Sequence, residues 1–474
     1  MKAAQRQASP ALAGVAARQQ IRAERSGAAR LAPPVPTPKP GVCKLLNHTD
    51  YWGEAVVWGT TNKVESAEQC CAQCAAYKPQ HEDDIYCNVW VWCGDRIRCQ
   101  ASFRNCWLKH LAHPEATAPT VGPHVPWTSG VISEVDPMEE DPQQVGGGQR
   151  RYHVVITAQG TAVHWQSRVH YYWYRKVKAA CEAAKGKDCQ MGGFTRILHS
   201  GVPDDLMGEI PTVVVEPLPD RENLGYVVLN RPFAFVQWLA QADIPEKYVL
   251  MSEPDHVWLR PMPNLMAGER MAAFPFFYIE PAKPEFKHIT EKFTGPLLRR
   301  QAEAISPMGN APTLMAMRDL RKVAPLWVNV SRAIFDDKEA HEKWGWVLEM
   351  YGFTIACHMA RIQPARLHIK MMSQPPWDTR LWPSYLLHYT YGMDYTLEGQ
   401  FTPGKIGAWR FDKRSYAGKP PPRKLGEPPK GMTNELTRHL IHAINEATEA
   451  IPGWDVYAAT GRATQLWDGT TAAS

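Results

Sequence analysis

The sequence predicts two folded parts: an α/β domain with a mainly parallel central sheet, preceded by a small disulfide-rich α+β module. Apolar strand-like runs alternate with helical segments between residues 151 and 456, which is typical of parallel sheets joined by helical crossovers. Eight of the eleven cysteines lie between Cys43 and Cys106. The chain of 474 residues is long enough for two domains and a tail.

Residues 1–40 predict a disordered stem. They are rich in Ala and Arg, nearly free of acidic residues, and end in a proline-rich run typical of a stiff, extended linker. We expect a membrane anchor to lie outside this sequence, because it contains no apolar run of eighteen residues or more. The same composition also resembles an organelle transit peptide, which remains an alternative.

The module at residues 41–112 carries the cysteines. A short, cysteine-dense segment indicates disulfide bonds formed in an oxidising compartment, although their pairing cannot be deduced from the sequence. A zinc site is the alternative, and the adjacent pair Cys70 and Cys71 fits a zinc knuckle poorly. We therefore expect disulfides and a location in the secretory pathway, in the Golgi or endoplasmic reticulum lumen.

Two elements are predicted inside the module. Residues 66–77, SAEQCCAQCAAY, predict a helix capped by Ser66, and residues 88–93, NVWVWC, predict a strand. With the closing CWLK at 106–109, this pattern resembles a PAN/apple module. That resemblance implies binding of proteins or glycans, and a purely stabilising appendage is the alternative. Residues 113–150 are rich in Pro, Gly and acidic residues, so we expect a linker there.

The larger domain, at residues 151–456, begins with alternating elements. Strands are predicted at 152–158, 192–198, 212–218 and 247–251, and helices at 164–180 and 231–241. Beyond residue 280 the pattern becomes irregular, with helices expected near 313–324, 341–360 and 433–449. Residues 457–474 are assigned to a C-terminal tail.

The strongest chemical signal follows the strand at 247–251. Glu253 and Asp255 come directly after it, and ligands collect beyond the carboxyl ends of strands in open α/β sheets. In an extended chain the two carboxylates project to the same side, where Mg²⁺ or Mn²⁺ would relieve their repulsion. Such an ion can bridge and neutralise a diphosphate. The alternative is a loop with two solvated acids.

This arrangement is typical of the acidic DXD motif in GT-A-type glycosyltransferases, with Glu253 at the first position of the motif. A GT-A-like fold that binds a nucleotide-sugar is therefore expected. A histidine near the end of such a domain is the usual third metal ligand, which makes His388 in HYTYG the candidate. An ordinary core or surface histidine is the alternative reading of His388.

Further residues are candidates for binding the donor. Thr157 lies in the first strand of the domain, and Arg196 lies at a strand end, where it can contact phosphate or ribose. Gly309 and Asn310 belong to the segment 307–312, PMGNAP, which predicts a tight turn approached closely by a ligand. A structural role for Arg196 is the alternative.

Two carboxylates are candidates for the catalytic centre. Glu349 sits in a Trp-rich helical segment, where burial would raise its pKa, and Asp378 follows the QPPW run at 374–377. A paired surface glutamate is the alternative for Glu349. Trp377, Tyr389 and Tyr391 are predicted to line a groove suited to a polyproline II acceptor, with core packing as the alternative for each.

Long segments across 152–454 resemble the plant hydroxyproline O-arabinosyltransferases. The resemblance rests on the following stretches: YYWYRKVK (171–178), MGGFTRILHSG (191–201), GYVVLNRPFAFVQWL (225–239), EPDH (253–256), GWVLEMYGF (345–353) and HYTYGMDY (388–395). It implies a glycosyltransferase with Mn²⁺ as cofactor, UDP-β-L-arabinofuranose as donor and hydroxyproline-rich peptides as acceptors. Net retention follows, and the metal motif maps onto Glu253 and Asp255.

The cysteine module is a departure from the plant family and leaves acceptor choice open. A related class galactosylates serine beside hydroxyproline, and a catalytically silent glycoprotein-binding protein is a further alternative. No nucleic-acid partner is expected, because the net charge of +5 is interspersed rather than clustered on one face. Sequons at Asn47 and Asn329 are compatible with passage through the secretory pathway.

Overall fold

The structure, a computed structural model, describes residues 43–81, 83–132, 150–219, 222, 225–381 and 383–469. The predicted stem at 1–40 lies outside these residues, as does much of the predicted linker. None of the helices that the structure describes combines the length and apolarity needed to cross a bilayer.

The N-terminal module is a five-stranded antiparallel sheet covered by one helix. In spatial order, its strands are Leu46–Asn47, Thr128–Val131, Val89–Trp92, Cys106–His110 and Glu54–Val57. The helix Ala67–Ala76 begins where the Ser66 side chain accepts a hydrogen bond from the Gln69 amide, as predicted. Smaller elements are the helix Arg96–Cys99 and the strand pair Thr49–Asp50 and Thr120–Val121.

Four disulfides staple the module, three of them to the helix Ala67–Ala76, which confirms the prediction of a disulfide module. The bonds are Cys43–Cys71, Cys70–Cys106, Cys74–Cys87 and Cys93–Cys99. A fifth bond, Cys181–Cys189, lies in the larger domain and was not predicted. Cys357 is a buried free cysteine.

The module extends further along the chain than the 41–112 boundary. Residues 113–132 were assigned to the linker, yet Thr128–Val131 pairs with two strands of the module, and Cys43 bridges Ile132. A strand containing Ser129 and Gly130 carries a weak propensity signal, and its pairing partners supply the stability that the local sequence lacks.

A seven-stranded mixed sheet forms the centre of the larger domain. In spatial order, its strands are Thr212–Val214, Met191–Leu198, Tyr152–Ala158, Tyr248–Ser252, Met308–Ala316, Ala272–Pro275 and Arg366–Leu367. The first four are mutually parallel, as predicted. Met308–Ala316 runs antiparallel to both of its neighbours, whereas Ala272–Pro275 and Arg366–Leu367 are again parallel to each other, so the sheet is mainly parallel, as predicted.

Helices cover both faces of this sheet. They are Gly160–Lys185, Asn230–Gln241, Pro284–Thr294, Arg299–Glu303, Met317–Asp336, Lys338–Trp344, Leu348–Met359, Glu435–Ala450 and Trp454–Thr460. One core contains Trp165, Trp258 and Trp454, and the other contains Trp238 and Trp327. The helix predicted near 313–324 begins only at Met317, because the preceding residues form the buried strand Met308–Ala316.

A small second sheet lies beside the central one. Its strands are His256–Trp258, Leu386–His388 and Met372–Ser373, and His256 pairs directly with His388. A separate hairpin joins Met393–Tyr395 to Trp409–Phe411. The predicted C-terminal tail is packed against the domain over its described part, since Trp467 is 5% exposed and contacts Tyr171 and Tyr172.

Candidate active site

The site is built at the carboxyl end of the strand Tyr248–Ser252. This strand is apolar and buried, and it ends in a turn in which the His256 amide donates to the Glu253 carbonyl at 3.1 Å. Glu253 and Asp255 are therefore brought together by a turn rather than by the extended chain that the sequence predicted. Pro254 between them makes a continued strand unfavourable.

The His388 ring lies close to both Glu253 and Asp255. Its Nε2 lies 3.1 Å from Asp255 Oδ2 and 4.0 Å from Glu253 Oε2. Pairing of His256–Trp258 with Leu386–His388 fixes this approach, although 133 residues separate Asp255 from His388. The three residues predicted as metal ligands thus converge in one place.

Asp255 is an ionised carboxylate inside the protein. It is 2% exposed, and Lys413 also places its ammonium group against Oδ2. Burial opposes ionisation, but the charges of His388 and Lys413 outweigh it and hold the pKa of Asp255 well below its usual range. Lys413 was not predicted, and its place in the FDKR stretch carried no signal for this contact.

His256 is a further functional candidate that sequence reasoning missed. Its Nδ1 lies 2.8 Å from Ser252 Oγ, while its buried Nε2 has no hydrogen-bond partner within the described chain. Burial first, and then the charge of His388, hold its pKa well below the usual value, so the ring stays neutral. Its position directly after Asp255 in EPDH was the signal that could have found it.

The donor set fits a divalent cation. Ligand atoms of Asp255, His256 and His388 all lie within 4.8 Å of one another, and Glu253 borders the group. Carboxylate oxygens suit Mg²⁺ and Mn²⁺, whereas imidazole favours transition metals. The observation that argues for an ion here is the convergence of two imidazoles and a carboxylate in one buried place.

Arg231 organises a second group of side chains beside the first. It lies at the start of the helix Asn230–Gln241, and its Nη2 is 3.0 Å from Glu253 Oε1. Its Nη1 is 3.1 Å from Glu349 Oε2 and donates to Asn310 Oδ1 at 3.3 Å. Sequence reasoning missed Arg231, because its partners come from three distant segments.

Glu349 is buried at 1% exposure, and its Oε1 has no hydrogen-bond partner among the described residues. Burial raises its pKa to about 7, even though Arg231 acts in the opposite direction. A carboxyl group that titrates near neutral pH beside a cluster of acids is typical of functional sites.

Gly309 and Asn310 do not form the predicted tight turn. Both lie in the strand Met308–Ala316, where only Asn310 reaches Arg231. A Cβ at Gly309 would lie 2.6 Å from Met350 Cε, so the glycine permits close packing of a helix on the sheet. The turn prediction was wrong because pairing on both sides of the strand overrides the local Pro and Gly signals.

The two remaining donor-binding candidates differ in position. Ile156 is paired with Ser252, so Thr157 lies at the strand end beside the acidic turn. Arg196, in contrast, is 1% exposed and contacts both Asp204 oxygens at 2.6 Å. The Arg196 guanidinium therefore fixes the loop that follows the strand Met191–Leu198. This is the structural role that was given as the alternative for Arg196.

His199 lies near Arg231 and was also missed. It follows the strand Met191–Leu198 and is 8% exposed, and its Nδ1 has no hydrogen-bond partner among the described residues. Burial, followed by the charge of Arg231, lowers its pKa to about 4. The ring is therefore neutral at physiological pH and presents a free nitrogen.

Asp378 does not join the cluster around Glu253. It is exposed, and its Oδ2 accepts a hydrogen bond from the Gln374 amide at 2.7 Å. Trp377 beside it is 62% exposed, and both residues line a large cavity. Tyr389 is fully buried and stacks on Trp165, so its predicted place in a groove was wrong and core packing is its role.

Comparison with known proteins defines the class. Residues 152–367 match the N-terminal domain of the hydroxyproline O-arabinosyltransferase family, and residues 385–455 match its C-terminal domain. These matches show that the chain is a glycosyltransferase. More specifically, the chain belongs to the hydroxyproline O-arabinosyltransferase family. Both matched regions begin after the disulfide-rich module.

Individual relatives agree with this assignment. Hydroxyproline O-arabinosyltransferase 1 of Arabidopsis thaliana is 48% identical over 329 residues, which cover 68% of this chain and 87% of the relative. Hydroxyproline O-arabinosyltransferase RDN2 of Medicago truncatula is 47% identical over 328 residues, with the same coverage of 68% and 87%. A peptidyl serine alpha-galactosyltransferase of Arabidopsis thaliana is 25% identical over 202 residues, covering 40% of this chain and 23% of that protein.

Similar solved structures include the galactosyltransferase LgtC, at 12% identity and a TM-score of 0.30 over 50% of this chain and 87% of that one. Mouse xyloside xylosyltransferase 1 has 11% identity and a TM-score of 0.31 over 50% and 97%.

Proposed function

We propose that this chain transfers L-arabinofuranose from UDP-β-L-arabinofuranose to the hydroxyl group of peptidyl hydroxyproline, with net retention, on a GT-A-like fold. Family membership supports the reaction type. The observation that carries the proposal is the convergence of Glu253, Asp255 and His388 at the end of a central strand. A β-linked product from a β-linked donor requires retention at the anomeric carbon.

The proposed metal site consists of Glu253, Asp255 and His388, with His256 as an additional ligand. Mn²⁺ is the proposed cofactor, with Mg²⁺ as the alternative, because the donor set mixes carboxylates and imidazoles. When bound, such an ion neutralises negative charge on the departing diphosphate.

Two cationic side chains are proposed to bind donor phosphate. Lys413 lies against Asp255 and is partly exposed, so its ammonium group can turn from this carboxylate towards a phosphate oxygen. Arg231 faces Glu253 with its Nη2 and holds Asn310 and Glu349 with its Nη1. Thr157 is proposed to contact the nucleotide from the neighbouring strand end.

Glu349 is proposed to stabilise the positive charge that grows on the anomeric carbon. Its unpaired Oε1 and its place beside Arg231 support this role. Departing phosphate oxygen can accept the proton of the hydroxyproline hydroxyl group, so the reaction requires no protein base. Asp378 lies apart from this cluster and is proposed to position the acceptor peptide instead.

The proposed location is the lumen of the Golgi or endoplasmic reticulum. Five disulfide bonds within the described chain support an oxidising compartment. Galactosyl transfer to serine beside hydroxyproline is the second candidate function, favoured by the similarity to a peptidyl serine alpha-galactosyltransferase.

A donor panel tests the proposal. Purified protein is incubated with Mn²⁺, a hydroxyproline-rich peptide and, in separate reactions, UDP-β-L-arabinofuranose, UDP-galactose and UDP-glucose. We expect the peptide to gain pentose from the arabinose donor only, as measured by mass spectrometry. A matched peptide with proline in place of hydroxyproline should gain nothing. Transfer from UDP-galactose alone would favour the second candidate, and no transfer from any donor would contradict the enzymatic proposal.

A further inference from the structure

A cavity of about 1510 Å³ lies between the disulfide-rich module and the larger domain. The module lines it with Glu54, Asp83 and several residues of the segment 111–117. The larger domain supplies the opposite wall, which includes Phe277 and Trp377. The catalytic cluster around Glu253 is not part of the lining, so the cavity is a separate feature of the surface.

Direct contacts hold the two walls together. His110 Nε2 lies 3.0 Å from Glu303 Oε2, with the side chains only 3% and 11% exposed. Arg299 Nη2 lies 2.7 Å from Glu54 Oε2, and the Arg300 guanidinium lies 5.3 Å from the centre of the Tyr86 ring. Buried and multiple contacts of this kind make the cavity a fixed groove rather than a gap between independent parts.

The lining leaves large apolar rings in water. Phe277 is 81% exposed and Trp377 is 62% exposed, and prolines 275, 281, 284, 307 and 383 lie among the lining residues. Exposed aromatic rings along a cavity favour a binding site, because a partner that covers them gains the free energy of burial. Aromatic-lined grooves bind polyproline II segments, which lose little conformational entropy on docking.

The charge of the groove fits an uncharged occupant. Among the residues that the structure describes, five acidic and five basic side chains line it. Arg299 contacts both Glu54 and Glu303, and Lys283 contacts Glu280 at 3.0 Å, so several of these charges neutralise each other. These residues carry no excess of positive charge that would attract a polyanion. An uncharged peptide that bears hydroxyl groups does not need such an excess.

Tyr278 brings the aromatic wall of the groove near the active site, although the two are separate features. The Tyr278 ring lies 5.0 Å from Phe277 and 5.4 Å from Phe276, both of which line the groove. Burial is the main cause of the raised pKa of Tyr278, and the charges of Tyr391 and Glu253 raise it further. Glu253 is therefore within electrostatic reach of the aromatic wall.

We infer that the disulfide-rich module forms one wall of the acceptor groove, in which a hydroxyproline-rich polyproline II segment lies between the 111–117 segment and Trp377. The inference rests on the proposed function, because it names the acceptor that this reaction would use. The module is then a substrate-binding element and not only a stabilising appendage.

Filling the groove from the module side tests the inference. Ala112 is exposed and lines the cavity, so Ala112→Trp adds a ring to the groove without disturbing a core. Ala101→Trp is the matched control, since Ala101 is exposed on the same module and lies outside the lining. Binding of a fluorescent nine-residue hydroxyproline-rich peptide is measured by anisotropy, and UDP release without acceptor is measured in parallel.

We expect Ala112→Trp to weaken peptide binding at least tenfold while UDP release and thermal stability stay as in the unsubstituted protein. Ala101→Trp should bind the peptide normally. Trp377→Ala should weaken binding from the opposite wall, with the exposed Trp52→Ala as its control. Equal affinities for Ala112→Trp and Ala101→Trp, or for Trp377→Ala and Trp52→Ala, would overturn the inference.

The two proposals fail in different ways. If the groove variants weaken peptide binding but the protein transfers no sugar, the proposed reaction is refuted and the role of the groove in peptide binding is retained. If sugar is transferred and the groove variants behave as their controls do, the reaction stands and the role of the module falls. Capture of heparin in preference to the peptide would also overturn the inference, because it would identify a polyanion site.

Discussion

Arg231 Nη1 lies 3.1 Å from the Oε2 of Glu349, a carboxylate that is almost wholly buried. The same guanidinium reaches Glu253 with its other terminal nitrogen, at 3.0 Å. A buried glutamate and a proposed metal ligand therefore share one cation. Because both carboxylates contact Arg231, the protonation state of Glu349 depends on the charge of Glu253.

Removing the Arg231 guanidinium should impair both folding and catalysis. Arg231→Met leaves Glu349 and Glu253 without their shared partner, so we expect a loss of about 1–3 kcal/mol in the free energy of unfolding. We also expect kcat/KM for the donor to fall about a hundredfold, or about 2.7 kcal/mol. Arg231→Lys should lose less of both the free energy of unfolding and kcat/KM. Unchanged kinetics in Arg231→Met would place Arg231 outside the active site.

The raised pKa of Glu349 gives stability a defined pH dependence. Its pKa is about 7 in the folded protein against the ordinary glutamate value of 4.5 in the unfolded chain, so between these values only the unfolded chain releases the proton. Stability from the protonated form is full below pH 4.5 and is lost as the pH rises through 7.

Glu349→Gln removes this dependence. In metal-free buffer we expect the variant to exceed the unsubstituted protein by up to about 3 kcal/mol in free energy of unfolding at pH 8, with little difference at pH 5. Chemical denaturation at both pH values measures the difference. The same offset at pH 5 and pH 8 would contradict the assigned titration.

Lys413 is expected to act on the donor. Lys413→Met should raise KM for the UDP-sugar about tenfold, or about 1.4 kcal/mol, because a charge-assisted contact to phosphate is lost. KM for the peptide should not change. Lys405→Met provides the control, since Lys405 is an exposed lysine of the same C-terminal region. Equal donor KM values in the two variants would remove Lys413 from the donor site.

The unpredicted Cys181–Cys189 bond should contribute to stability of the larger domain. It joins the end of the helix Gly160–Lys185 to the start of the next strand across a separation of 8 residues. Loop closure of this length predicts a loss of about 2.5 kcal/mol in the double variant Cys181→Ala/Cys189→Ala. Urea denaturation measures it, and a loss below a few tenths of a kcal/mol would assign the bond a negligible role.

The local pattern of the chain predicted much of the fold and part of the site. Strand ends and apolar runs located Tyr248–Ser252 and the acids that follow it, since both signals are local. Arg231 stayed hidden because its contact to Glu349 spans 118 residues. The strand Met308–Ala316 was mistaken for a turn and a helix, because its pairing partners rather than its own residues decide its conformation. Disulfide pairing was undetermined for the same reason.

The proposed reaction depends on a divalent cation that Glu253 and Asp255 would hold together with the diphosphate of the donor. Electron paramagnetic resonance of Mn²⁺, titrated with protein in the presence and absence of UDP, measures this most directly. We predict that UDP tightens Mn²⁺ binding to the unsubstituted protein and that Asp255→Asn abolishes the effect, with its fold intact by circular dichroism. UDP-dependent Mn²⁺ binding that persists undiminished in Asp255→Asn would contradict the proposed metal site.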